Sequence, residues 1–200
     1  MTHRPDRLAF LAGVDPLGPR IRVARLASLA RLGVGPEEPD IRGWPVVTND
    51  GQRIGRVRDL LVELATREVR YLDVSFDLAL AGGRPDLRVA IPIGCARAGT
   101  RRNLVNVRCA TRDQIIHAPR HGADLLTIDD EVAARRFFGS IAADLSVTDA
   151  GSFYAAPDFE HAVFWSVRRK GREQVPYLML LETEGEAAAS ANGDEAGMRI

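Results

Sequence analysis

Between Pro45 and Cys109 the sequence falls into short runs of alternating apolar and polar residues, each ended by a turn-forming cluster. A strand presents successive side chains to opposite faces, so a two-residue period marks a half-buried strand. Pro45-Val46-Val47-Thr48 is one such run, and Asn49-Asp50-Gly51 behind it is a tight turn in which glycine takes the positive φ. Ile54 to Leu64 starts as an alternating strand and becomes continuously apolar, and Thr66-Arg67-Glu68 turns it. Val69 to Phe76 alternates again, Gly82-Gly83-Arg84-Pro85 leads into Leu87 to Ile93, and Leu104 to Cys109 follows Thr100-Arg101-Arg102-Asn103. Five or six short strands with turns about 12 residues apart predict a mainly-β chain built on a small antiparallel barrel, here bounded at 41–120.

The flanks read differently. Pro5, Pro16, Pro19, Pro36 and Pro39 predict an extended N-terminal arm over residues 1–40, with near-helical apolar spacing between Ile21 and Leu32. Residues 121–160 hold a short α-helix: Thr127 is its N-cap, Asp129, Asp130 and Glu131 meet the positive end of the helix dipole, and Gly139 stops it. Within 161–200, His161 to Leu181 reads as two apolar segments around a basic turn, an extra hairpin or docking segment. From Glu182 onward the chain is alanine, glycine and acid with nothing to bury, which predicts a partly disordered acidic tail.

Composition removes several classes. The 200 residues are 46% hydrophobic with a formal net charge of zero, which excludes collagen-like and wholly disordered chains. Charge is uneven: 20 arginines face 13 acids over residues 1–120 (+7), and 7 basic residues face 14 acids over 121–200 (−7). The basic part suits phosphate headgroups or an acidic partner. No stretch reaches the roughly 18 apolar residues of a membrane span, and the apolar run Leu8 to Ala12 stops at Gly13, so neither a span nor export is expected. Cys95 and Cys109 are too few for a disulfide framework or a closed zinc site and read as small buried residues of a reduced, cytoplasmic protein. His117 and His121 flank Pro119 without converging ligands and are expected at the surface. No serine has a nucleophile-elbow context, and Gly82-Gly83 lacks the Lys-Ser/Thr of a phosphate loop. The chain therefore carries no enzyme signature, no catalytic residue and no metal set.

Asp40 to Gly51, Gly55 to Val62 and Val69 to Val74 resemble a PRC-barrel, and more narrowly the cytoplasmic domain of the H subunit of photosynthetic reaction centres. Val14-Asp15-Pro16-Leu17-Gly18-Pro19 resembles the stretch just upstream of that domain, and Val89 to Ile93 resembles one of its strands. Leu126 to Gly139 and Phe153-Tyr154-Ala155-Ala156-Pro157 are similar to its C-terminal signature, with an apparent insertion between Gly139 and Ser152. H subunits begin with a transmembrane helix that this sequence lacks, so the resemblance is to an anchor-less version.

The resemblance implies a non-catalytic subunit of a type II, quinone-reducing reaction centre. Such a subunit caps the transmembrane core near the quinone sites and assists proton uptake to the secondary quinone. It binds no cofactor itself; bacteriochlorophyll, bacteriopheophytin and quinone belong to the partner subunits. The partners implied are the core transmembrane subunits, a separate membrane-anchor chain and light-harvesting antenna polypeptides, with no nucleic acid. The location implied is peripheral, on the cytoplasmic face of the photosynthetic inner membrane. Aligned without gaps from Asp59 to Asp73, the family's quinone-proximal glutamate falls on Thr66, with Glu68 two residues on; its arginine falls on Arg70 and an acidic position of the proton route on Glu63. Glu63, Glu68, Arg70 and Asp73 are thus the proton-relay candidates. Trp165, Arg168, Arg169, Lys170, Arg172 and Tyr177 combine aromatic and basic groups suited to headgroups or an acidic protein, and are the docking candidates.

The alternative is a free-standing PRC-barrel adaptor that binds RNA, a ribosome or a regulatory protein. That class expects a clustered basic face with stacking aromatics. Glu63, Glu68, Asp73 and Asp77 instead sit among the arginines of this barrel.

Overall fold

In the computed structural model the alternating runs become strands. The structure describes residues 21–30, 32–34, 39–84, 88–99, 102–122, 124–139, 150–164 and 178–180. Strand β1 (Ile21–Arg25) is followed by a single 3-10 turn (Leu26–Ser28), β2 (Leu32–Val34), β3 (Pro45–Val47), β4 (Arg53–Glu63), β5 (Val69–Phe76) and β6 (Arg88–Pro92). After a 3-10 turn at Ile93–Cys95 come β7 (Ala96–Gly99), β8 (Leu104–Val107), the short helix α1 (Arg112–Ile115), β9 (Leu125–Thr127) and α2 (Ile128–Phe138). Helix α3 (Ala150–Tyr154), a 3-10 turn (Pro157–Phe159), α4 (His161–Phe164) and β10 (Leu178–Leu180) complete the described elements.

Eight strands form one mixed sheet in the order β6-β5-β4-β3-β8-β7, with β1 bridging β4 and β9. The expectation of a wholly antiparallel barrel needs one correction: β3 and β8 run parallel, Val46 opposite Val105. The sheet wraps a core that includes Val46, Ile54, Leu60, Val62, Leu72, Val74, Ile91 and Val105. Two glycines make the first hairpin possible. Gly51 sits at φ 75 in the β3–β4 turn, where a side chain would be strained. Gly55 lies so close to β5 that an added Cβ would stand 1.9 Å from the Ser75 carbonyl oxygen.

The N-terminal flank departs from expectation. Ile21–Arg25 is neither arm nor helix but a strand, with Val23 opposite Glu63 on β4 and Ala24 opposite Leu125 on β9. Val23, Ala24 and Leu26 are buried, so tertiary pairing overrides the weak local helical spacing. The helix expected after Thr127 is present: Asp130 N–H donates to Thr127 Oγ1, and Thr127 N–H donates to the Asp130 carboxylate. Gly139 ends it in extended rather than left-handed backbone. Of the segment expected to form an extra hairpin or docking segment, the described parts are a short helix, His161–Phe164, and a strand, Leu178–Leu180, that pairs with β2. Cys95 is buried as expected, whereas Cys109 is exposed.

A second core lies on the outer face of the sheet. Val23, Leu61, Tyr71, Ala90, Leu126, Ala134, Phe153, Tyr154 and Phe159 pack together there. Phe159 meets the rings of Tyr71 and Tyr154 edge-on at 5.3 and 5.0 Å. The β4–β5 hairpin is therefore covered on both faces, and β5 is buried along nearly its whole length despite carrying Arg70 and Asp73.

Candidate functional site

The turn joining β4 to β5 brings three of the four relay candidates together. Glu63 ends β4, Arg70 lies near the start of β5, and Glu63 N–H donates to the Glu68 carbonyl at 2.8 Å to close the turn. Glu63 and Arg70 are both buried. The Arg70 guanidinium donates to the Glu63 carboxylate at 2.8 and 2.7 Å and reaches Glu68 at 2.6 Å, where the Glu68 side chain is 46% exposed. Thr66 Oγ1 donates to the same Glu63 oxygen at 2.7 Å. One buried carboxylate thus receives an arginine and a hydroxyl, and the arginine also pairs with a carboxylate at the surface.

On its other side Arg70 lies 4.5 Å above the Tyr154 ring centroid. The Tyr154 hydroxyl donates to Glu131 on α2, and Tyr71 donates to the same Glu131 oxygen at 3.0 Å. Glu131 is 1% exposed, and its other carboxyl oxygen is buried without a hydrogen-bond partner. Burial pushes Glu131 up to about 7, against the lowering effect of the two tyrosine hydrogen bonds. Both tyrosines are in turn raised above the ordinary phenol range, first by burial and then by the neighbouring Glu131 charge. A carboxyl with one unpartnered buried oxygen is stable as the neutral acid, and near pH 7 it exchanges a proton at little cost. His161 on α4 borders Glu68 and Arg70, and burial lowers its ring below the usual imidazole range, Glu68 opposing that effect.

Asp73 stands in a separate cluster. It is fully buried, with Arg25 at 3.0 Å, Arg88 at 3.5 Å and His121 at 3.3 Å. His121 is correspondingly buried rather than on the surface, held by a backbone bridge to Arg88. Two arginines and a histidine around one aspartate make a structural tie between β1, β5, β6 and the segment before β9. Asp59, farther along β4, accepts from the backbone N–H groups of Leu60 and Ala27, and burial raises its carboxyl. The docking candidates Trp165, Arg168, Arg169, Lys170, Arg172 and Tyr177 lie outside the described residues, as does the acidic tail.

Reasoning from sequence missed Glu131 as a member of this site, along with Tyr71, Tyr154 and His161. Glu131 looked like one more helix-start acid, and two of its partners, Tyr71 and Tyr154, are 60 and 23 residues away.

Glu63, Glu68, Arg70 and Asp73, on β4, β5 and the turn between them, all lie within residues 38–108, which match the model of the PRC-barrel domain. Over those 71 of its 200 residues the chain is similar to a PRC-barrel domain. No curated protein matches the chain. The matched span covers β3 to β8 and so holds Glu63, Glu68, Arg70, Tyr71 and Asp73. Glu131, Tyr154 and His161 come from beyond it, and β1 and β9 extend the PRC-barrel sheet from outside the matched residues.

Proposed function

We propose that this chain is an H-type subunit of a type II photosynthetic reaction centre. It caps the quinone-bearing transmembrane core from the cytoplasmic side and assists proton uptake to the secondary quinone. The observation that carries the reading is the graded set of carboxyl groups. Glu68 is half exposed, Glu63 is buried against Arg70, and Glu131 is wholly buried with its proton affinity raised to about neutrality. Two-electron reduction of a buried quinone consumes two protons, and groups that titrate near ambient pH pass protons most efficiently. In this reading Glu68 collects protons at the surface, Glu63 and Arg70 set the local field, and Glu131 stores a proton between the two tyrosines.

The chain has no catalytic role of its own here. Pigments and quinone are held by the core subunits, membrane attachment comes from a separate chain, and antenna polypeptides are neighbours. Trp165, Arg168, Arg169, Lys170, Arg172 and Tyr177 are proposed to dock on the core or on the lipid headgroups beside it.

Affinity purification of the tagged full chain from gently solubilised native membranes, followed by an absorption spectrum, tests this reading. Stoichiometric near-infrared bacteriochlorophyll bands in the eluate are expected. A colourless eluate from pigmented membranes would reject it in favour of a free-standing adaptor. In the purified complex, Glu68→Gln and Glu131→Gln are expected to slow the second, proton-coupled electron transfer to the quinone. An unchanged rate across pH would remove the relay while leaving the capping role.

A further inference from the structure

Three arginines from separate elements converge on one surface cavity of about 270 Å³, where Arg25, Arg42 and Arg58 stand with Ser28, Asp59 and Asp124. Strand β4 organises it. The β4–β5 pairing shifts register between Val57 and Asp59, which lie opposite Val74 and Asp73, so Arg58 is the extra residue of a β-bulge. A bulge re-aims a side chain out of the regular ladder. The neighbours of Arg58 fasten the other walls. Gly43 N–H donates to the Val57 carbonyl at 2.8 Å and Val57 N–H donates to the Trp44 carbonyl at 2.9 Å, which fixes the turn that carries Arg42. Ala27 N–H donates to Asp59 Oδ2 at 3.2 Å, which fixes the 3-10 turn that carries Ser28. Arg25, at the end of β1, is held by Asp73 at 3.0 Å and by Asp124.

The carboxylates of the cavity are engaged within the protein. Asp124 pairs with the Arg25 side chain and accepts the Arg25 N–H at its carbonyl. Asp59 accepts from the backbone N–H groups of Leu60, at 2.8 Å, and Ala27. Arg42 is likewise held, its Nε and one terminal nitrogen on Asp40 at 2.9 and 2.5 Å. Arg58 differs: it is exposed, and among the described residues its guanidinium has no hydrogen bond or ion pair. The geometry points to this cavity as a binding site for a phosphate group, with Arg58 as the principal recognition residue and Arg25 and Arg42 adding positive field. A guanidinium is a planar fork that bonds two phosphate oxygens at once. Cationic groups arriving from three elements suit a tetrahedral oxyanion, whereas one fork satisfies a planar carboxylate. The cavity also leaves room for the group that carries the phosphate. The site shares no residue with Glu63, Glu68, Arg70 or Glu131, and the inference stands independently of the proposed relay. A soluble phosphate ester and a lipid headgroup offer the same chemistry.

The test titrates the full chain with inorganic phosphate at constant ionic strength and follows the Arg58 Nε–H and the Ala27 and Ser28 amides by NMR. A second arm sediments the chain with vesicles of phosphatidylglycerol or of phosphatidylcholine. Saturable shifts with inorganic phosphate identify a soluble phosphate group as the source, and sedimentation with phosphatidylglycerol alone identifies the headgroup. In either arm Arg58→Ala, a change at an exposed position, is expected to keep the fold and weaken binding about tenfold, the loss of one charge-assisted fork. Arg58→Lys keeps the charge without the fork and should recover only part of the affinity. Overturning results are no response to either probe, equal shifts with chloride or acetate in place of phosphate, or an Arg58→Ala protein that binds as tightly as the wild type.

Discussion

Tyr154 donates its hydroxyl proton to Glu131, so one hydrogen bond fastens α3 to the first turn of α2 and closes the outer core over the barrel. The same bond opposes the effect of burial on Glu131. Tyr154→Phe keeps the ring against Phe153 and Phe159 but deletes that donor. The variant is expected to lose about 1–2 kcal/mol of stability in urea. Carbon-detected NMR of the Glu131 carboxyl should show its midpoint moving above the wild-type value of about 7.

Glu131 should also leave a signature in the pH dependence of folding. Its ordinary value is 4.5 and its folded value about 7. Between those limits the folded protein holds a proton that the unfolded chain has released, so stability falls as pH rises from about 4.5 to about 7 and levels off above. Glu131→Gln, which still accepts from both tyrosines, is expected to lose this slope. The difference in slope integrates to about 3 kcal/mol between pH 4 and pH 8. Equal pH profiles for the two proteins in chemical denaturation would contradict the assignment.

The two acids that contact Arg70 are unequal. Glu68 is half exposed, so its ion pair is screened by water, and Glu68→Gln is expected to change stability by less than about 1 kcal/mol. Glu63 is the buried partner of a buried guanidinium. Glu63→Gln leaves that charge short of compensation and should destabilise by about 3 kcal/mol. Thermal unfolding of the pair, side by side, measures the contrast.

Gly51 and Gly55 differ in why they must be glycine. At Gly51 there is open space but a φ of 75, and alanine there is expected to cost about 1 kcal/mol. At Gly55 the added methyl meets the Ser75 carbonyl and the Phe76 backbone. Those atoms are the partner strand and have little room to shift, so Gly55→Ala should cost at least about 2–3 kcal/mol, through lost β4–β5 pairing. Urea midpoints for the two variants rank them, and amide exchange at Ser75 and Phe76 locates the damage.

What the sequence revealed was whatever local chemistry decides. Val69 to Phe76 was legible because β-branched and aromatic residues alternate with polar ones between two turns, and Thr127 because a hydroxyl three residues before an acid closes a capping box. β1 was illegible: Ile-Arg-Val-Ala-Arg fits a helix as well as a strand, and its partners Glu63 and Thr127 lie about 40 and 100 residues away. β7, Ala-Arg-Ala-Gly, contains no β-branched residue and exists through its pairing with β8. In the candidate site, Glu63, Glu68 and Arg70 were found because one turn gathers them. Glu131 was missed because its burial is decided by rings from two distant segments. Arg70 and Asp73, charges in an alternating strand, point to one solvated face, so the coverage of this strand on both sides was not legible locally.

That double coverage bears on how the chain is made. Leu61, Tyr71 and Ala90 on the outer face of the barrel stay wet until Leu126, Phe153 and Phe159 arrive. During synthesis the recognisable barrel is therefore complete in sequence some fifty residues before its outer surface can dry. Over that interval it is a sticky intermediate, and a fragment cut at residue 108 would keep that character permanently. The unit that folds is longer than the unit that is recognised.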